Sequence, residues 1–541
     1  MKRFLAVSLT ALLFLLPACQ KAEDRPARSD DAEPAYGDVL VIGTEADADA
    51  INPLFSVAST GSEVWAHLFC KLARIQPNMR DFEPWLARSW QFSDDRKTLT
   101  FQLRDDVTWH DGAPFNAHDV AFSFDLFGSD TIGWKTLRWL DDIESVTAVD
   151  SFTVRFAYRR VYPDQFYDAW IFPPLPKHIL ERIPIEEIRT HEFNRRPVGN
   201  GPFVFDNWVP QQKIELVANE RYFLGRPYLD RIVWKIVPDA TSLATQLSGG
   251  QIDVWPVVPA DQISRLRKMP NVNIHAYPSR VYHFIAWQIA DSLFASRKVR
   301  RALTMAIDRQ KIIDSLLEGA GRPATGPIPS FLWAHKSDLR PIRFDPDQAR
   351  RMLAEEGWVD RDGDGWLDRD GERFEFEIMT NADNQLRSDI TVVIQEDLRR
   401  IGVKASPRLV EWTVFVEVLT QTRDFQAFVS AWSSAIKVDL TTIWHSRSIQ
   451  DRYNMVHYSN PVVDSLIDRA RMELEREKAK ELWGEAQQII VDDAPYSFLF
   501  VTDEVIAVDR RFRNVRPTTY TWDYNIDRWW VPVAERRYRS W

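Results

Sequence analysis

Strand-like and helix-like runs alternate along this chain, and that alternation constrains its fold more than any other feature. The apolar run Val39-Leu40-Val41-Ile42-Gly43 reads as a β-strand entering a loop that turns at Asn52-Pro53. Residues 99–103 (LTFQL) alternate with period two, and Asp111-Gly112 marks a hairpin turn. After Asn116 and Asp119 the apolar positions Val120, Phe122, Phe124 and Phe127 predict a short buried helix, followed by a second β region over residues 143–158. Residues 197–203 (PVGNGPF) hold two glycines and two prolines, which excludes a helix interior or a central strand and predicts a rigid turn into a strand at Phe203. Strands follow at residues 214–217 and 232–237, and a helix at 240–247 ends at Gly249-Gly250. Residues 297–319, 387–402 and 465–491 read as long amphipathic helices. The fold class is therefore α/β, and the absence of a fixed repeat period excludes a solenoid or propeller.

The first residues form an address rather than part of the body. Lys2 and Arg3 precede an apolar run from Phe4 to Leu16, too short to span a bilayer, and then Pro17-Ala18-Cys19. Residues 1–18 thus read as a signal peptide. Leu16-Pro17-Ala18-Cys19 resembles a bacterial lipobox, which makes Cys19 the lipidation site and residues 19–37, polar and rich in Asp, Ala, Arg and Pro, a tether. A plain signal peptide with an incidental cysteine is the alternative. Lysine and arginine total 68 against 78 acidic residues, a net charge of −10, so a nucleic-acid partner is not expected. Two cysteines supply neither a disulfide framework nor a four-cysteine zinc site, and Cys70 in its apolar run reads as a buried, inert thiol.

Ordered motifs run through the whole body. They include Asn52-Pro53-Leu54, Pro84-Trp85-Leu86-Ala87, Ser93-Asp94-Asp95, Trp109-His110-Asp111-Gly112, residues 197–203, Asn219-Glu220-Arg221-Tyr222, Gly225-Arg226-Pro227-Tyr228-Leu229-Asp230, Val299-Arg300-Arg301-Ala302-Leu303 and Tyr458-Ser459-Asn460-Pro461. Together they resemble family 5 extracellular solute-binding proteins, the peptide- and nickel-type binding lipoproteins of ABC transporters. The resemblance implies a two-lobed periplasmic binding protein fold of type II, in the large cluster with an extra inserted domain. Lobe I would comprise residues 38–73, 195–281 and 504–541, the insert 74–194, and lobe II 282–503. It also implies a monomer without a cofactor, held to a bacterial membrane by its N-terminal lipid in the periplasm or at the cell surface. Such a protein would capture a small solute, a peptide before an oligosaccharide or metal chelate, and deliver it to ABC permease subunits. A ligand sensor without a transport role is a further alternative. His110, Asp111-Gly112 and an exposed helix-end pair, Asp308-Arg309, are expected to be structural.

In peptide-binding members of the family, a segment reading Trp, two small residues, Asp supplies the carboxylate that meets the peptide's amino group. Here Trp432 matches, but Ala435 stands where the acid is expected, and Asp439 follows four residues later. Trp432, Asp439, Arg387, Trp412, Trp287, Asn52 and Ala50 are the ligand-binding candidates: tryptophans for flat apolar surface, Arg387 for bidentate grip on a carboxylate, and the Asn52 loop for main-chain groups. Asp360, Asp362 and Asp364 open like an EF-hand calcium loop, but position twelve is Gly371, so an acidic turn is the preferred reading. No G-x-S-x-G, H-E-x-x-H, P-loop or C-x-x-C motif occurs, and a secreted hydrolase is the remote alternative.

Overall fold

The computed structural model describes residues 33–134 and 140–538, so the leader and Cys19 lie outside the described residues. One continuous sheet of 11 strands runs through two lobes. In the first lobe its order is Phe203–Val209, Lys213–Ala218, Arg231–Ile236, Val39–Thr44 and Val254–Trp255. Val39–Thr44 lies parallel to both of its neighbours, and its residues from Val39 to Gly43 are buried, as an uninterrupted apolar run in a central strand requires. In the second lobe Lys404–Val410, Glu375–Asn381 and Ala427–Ser433 form a parallel set.

Two long antiparallel strands, Val272–Trp287 and Tyr496–Asp509, belong to both lobes and join them. Their register breaks between Pro278 and Tyr282, where the sheet passes from one lobe to the other. A separate four-stranded antiparallel sheet, in the order Ala87–Phe92, Thr98–Leu103, Thr153–Tyr158, Ile143–Asp150, carries the helix Ala117–Phe127. That helix begins with a capping box in which Asn116 and Asp119 each satisfy the other's backbone N–H groups, and Phe101 and Phe156 pack edge-on beneath it.

The turn at residues 197–203 owes its glycines to close approach. The N–H groups of Asn200 and Gly201 both donate to the Leu68 carbonyl, at 2.9 and 2.8 Å, and so complete the end of the helix Ser59–Leu68. A Cβ on Gly199 would stand 1.9 Å from that same oxygen. His110 clamps the turn from outside: its Nδ1 accepts from the Gly199 N–H and its Nε2 donates to the Gly201 carbonyl. Burial holds its pKa down at about 4, so the ring is neutral and structural, as the sequence suggested.

Several expectations change. Residues 297–319 form two helices, Arg297–Ala306 and Arg309–Leu316, because Asp308 accepts from the Lys311 N–H and starts a new one. Residues 465–491 likewise belong to two, Pro461–Ala470 and Arg476–Asp493. Arg309 is 6% exposed and points at the Phe498 carbonyl rather than forming an exposed pair. Cys70 is fully buried, as expected, but it follows the helix end rather than lying within it.

At the far end of the first lobe, Arg511 joins Asp38 and Asp253, while Arg537 joins Asp253 and Asp509. This buried network ties the C-terminal segment to the first strand. Among the described residues no helix is long and apolar enough to cross a membrane.

Candidate functional site

The chain after the strand Ala427–Ser433 leaves the second lobe as a short finger. Its root is held to the crossing strand by the Ser434 N–H, which donates to the Arg280 carbonyl at 2.7 Å. Its tip reaches the other body: Ile436 is buried in a cluster with Ala73, Ile75, Met79 and Trp170. Next to it, Lys437 Nζ lies 2.9 and 3.1 Å from the two oxygens of Asp168, whose Oδ2 also accepts from the Tyr162 hydroxyl at 2.8 Å. Asp168 is 1% exposed, and burial pushes its pKa up to about 6 even though Lys437 and Tyr162 oppose that rise.

Two cavities flank this finger. One, of about 400 Å³, lies between the helix Ser59–Leu68 and residues 520–527, with Trp85, Trp170 and Tyr520 in its walls and Arg280 at the crossing strands. The other, of about 500 Å³, lies between the small sheet's side and the second lobe, where Phe82 and Tyr167 face Trp333 and Trp483. Both volumes suit small ligands, and both linings combine aromatic walls with charged side chains, Lys71, Arg74 and Arg280 in the first and Arg80, Lys437 and Arg476 in the second.

Charges around the first cavity are mostly matched. His67 Nε2 lies 2.7 Å from Asp523, and this pairing outweighs burial to keep the carboxyl pKa low. Arg74 pairs with Asp527 at 3.5 Å and donates to the Tyr524 carbonyl. Glu63 has the opposite tendency: burial, then the nearby Asp523 charge, raise its pKa to about 7.

The sequence candidates distribute unevenly over this arrangement. Trp432 stands at the finger's root, stacked on Phe284 at 6.3 Å and edge-on to Tyr453 at 5.6 Å, outside both cavities. Trp287 is a correction: it is fully buried, and its Nε1 donates to Ser497, because its strand turns that side chain into the second lobe's core. Asn52 is also internal, 0% exposed, with its Nδ2 donating to Asn194 and its Oδ1 accepting from the Leu54 N–H. Ala50 is buried beside it, against Gly61. That loop's polar groups are spent on holding the chain to residue 194, so neither residue faces a cavity.

Asp439 accepts from the Thr441 N–H in the turn before the short helix Thr441–Trp444 and pairs with Arg471 at 3.1 Å, so its carboxylate is engaged within the second lobe. Trp412 begins the helix Trp412–Glu417 with its ring against Phe415, about half exposed and outside both cavities. Arg387 donates to Asn381 at 2.8 Å, forms no ion pair among the described residues and lines neither cavity. Asp360, Asp362 and Asp364 cluster within 4.8 Å but are exposed. Their oxygens accept from turn N–H groups, and Asp364 also meets Arg373, as an acidic turn would have it.

Ile436, Lys437, Asp168, Trp170, Lys71 and Arg280 escaped the sequence reading. The available signal was a lone charge inside an apolar run, Lys71 in LFCKLA and Asp168 in QFYDAW.

Residues 81–454 match the family model described as "Bacterial extracellular solute-binding proteins, family 5 Middle". The chain is 33% identical over 532 residues to the oligopeptide-binding protein AppA of Bacillus subtilis, covering 97% of each. The solved structure of AppA from Bacillus subtilis in complex with a nonapeptide superposes with a TM-score of 0.73 at 32% identity, covering 92% of this chain and 100% of that one. NikZ from Campylobacter jejuni in complex with Ni(L-His) gives a TM-score of 0.74 at 26% identity, covering 91% and 99%.

Proposed function

Because this chain belongs to the family 5 bacterial extracellular solute-binding proteins, we propose that it binds a peptide between its lobes and hands it to the permease of an ABC importer, with no catalytic step. In this reading Cys19 carries a lipid that holds the protein at a bacterial membrane, and the body works as a monomer. The observation that carries it is the finger at residues 433–440, rooted in one lobe, docked by Ile436 and Lys437 on the other, and flanked by two aromatic-walled cavities.

The mechanism is a shift of populations. Open and closed forms differ in whether the finger is docked, and a solute drives closure only by its extra affinity for the closed form. The peptide is supported by the oligopeptide-binding relative, which matches along nearly all of both chains. Ala435 means that a peptide's amino group meets no carboxylate at that position of the finger.

The test is native mass spectrometry on the chain from residue 21 onward, purified without refolding. Bound masses that sequence as peptides are the expected result. A single non-peptide adduct, such as a metal chelate or oligosaccharide, would overturn the peptide assignment while keeping the solute-binding one.

A further inference from the structure

Within the first cavity two cations have no anionic partner. Lys71 Nζ sits 4.0 Å from the centroid of the Trp170 ring and forms no ion pair or hydrogen bond among the described residues. The Arg280 guanidinium, on the register break of the crossing strands, likewise has no ion-pair or hydrogen-bond partner there. Its charge is felt by the Tyr167 and Tyr520 hydroxyls, whose pKa values it pulls down against a larger rise from burial.

The cavity's own acids do not fill the gap. Asp523 is held by His67, and Asp527 by Arg74 and Arg528. Glu63 takes up a proton near neutrality. Both side chains are partly buried, and a charge drawn out of water without a counter-ion is costly.

We propose that this cavity binds a carboxylate of the ligand through Lys71 and Arg280, with Trp85, Trp170 and Tyr520 receiving the apolar part beside it. The proposal rests on the solute-binding reading above and adds to it the end of the ligand that this cavity recognises. Burial brings the Lys71 pKa down to about 7, so an entering carboxylate restores its full positive charge. Arg280 offers the planar fork that meets a carboxylate with two parallel bonds. Since Ser434 of the finger is bonded to the Arg280 main chain, a ligand at the guanidinium touches the same residue that anchors the finger's root.

Calorimetry on the chain from residue 21 onward, with Ala-Ala-Ala and its C-terminal amide as probes, tests this. The free acid is expected to bind about tenfold tighter than the amide or better, a typical worth of a charge-assisted pair. Lys71→Met and Arg280→Gln should each bring the acid-to-amide ratio close to one. R280Q keeps the test available should K71M fail to fold. Equal affinities of acid and amide for the wild-type protein would overturn the carboxylate subsite and leave the peptide reading standing. Should neither peptide bind, 3-phenylpropanoate decides the subsite, read by mass spectrometry as the acetylation rate of Lys71. Slowing in wild type but not in R280Q would uphold the subsite and count against short peptides, whereas no slowing would overturn the subsite.

Discussion

Glu63 shows how the cavity's surroundings alter a single side chain. It lies on the helix Ser59–Leu68, within 3.4 Å of the Trp234 indole N–H, and burial and Asp523 bring its pKa from 4.5 to about 7. A carboxyl that holds its proton more tightly in the folded state than in the unfolded one makes folding less favourable as pH rises between those two values. Glu63 therefore subtracts on the order of 1–3 kcal/mol from stability as pH rises from 4.5 to 7, with little further change above that. E63Q removes this dependence. The difference in melting temperature, E63Q minus wild type, should be small at pH 4.5 and grow through pH 7; a difference that stays flat would mean that Glu63 is ionised at neutral pH. The tryptophans carry the complementary lesson. Trp287 and Trp170 belong to the same residue type, yet one is locked in a lobe core with its N–H on Ser497 and the other walls a cavity.

At the scale of elements, local chemistry and distant packing meet in the turn at residues 197–203. Two glycines and two prolines announce a rigid turn, and the hairpin at Asp111-Gly112 and the helix after Asn116 are announced as directly. What the turn is for depends on Leu68, whose carbonyl takes both N–H groups. Gly199→Ala would place a methyl group on that oxygen, so the backbone must move. A loss of about 3 kcal/mol follows from overpacking of this kind, seen as a fall in melting temperature well beyond that of an alanine placed at Gly484, where the nearest atoms would stand 3.7 Å from the added Cβ. An equal effect at the two positions would remove the close-approach account. The long helices divided for a related reason: hydrophobic spacing persists across Ile307-Asp308, but Asp308 caps a new helix there.

For the whole molecule, the decisive contact is Lys437 on Asp168, since it joins the finger of one lobe to the other body. Lys437→Met leaves the Asp168 carboxyl buried with only Tyr162 as partner, and breaking one side of such a pair costs about 3–5 kcal/mol. The open form avoids that cost by returning Asp168 to water. The ligand-free K437M protein should therefore have a larger radius of gyration by X-ray scattering, with unchanged far-ultraviolet circular dichroism. An unaltered radius would show that apolar docking of Ile436 is enough to hold the lobes together.

The amino-acid sequence carried the class of fold, the family and most of the turns, because periodicity, capping residues and glycine-proline turns act over a few positions. It also identified the finger's start, through Trp432, and the missing acid at Ala435. Which side chains share a cavity followed from packing alone. Lys71 and Arg280 come from different elements and face one space because the crossing strands bring the second beside the first. Asn52, Ala50 and Trp287 look no different in sequence from cavity-lining residues. Their roles depend on which way each element's face turns once the lobes are packed, and on whether a polar group there finds its partner inside the protein, as Asn52 finds Asn194.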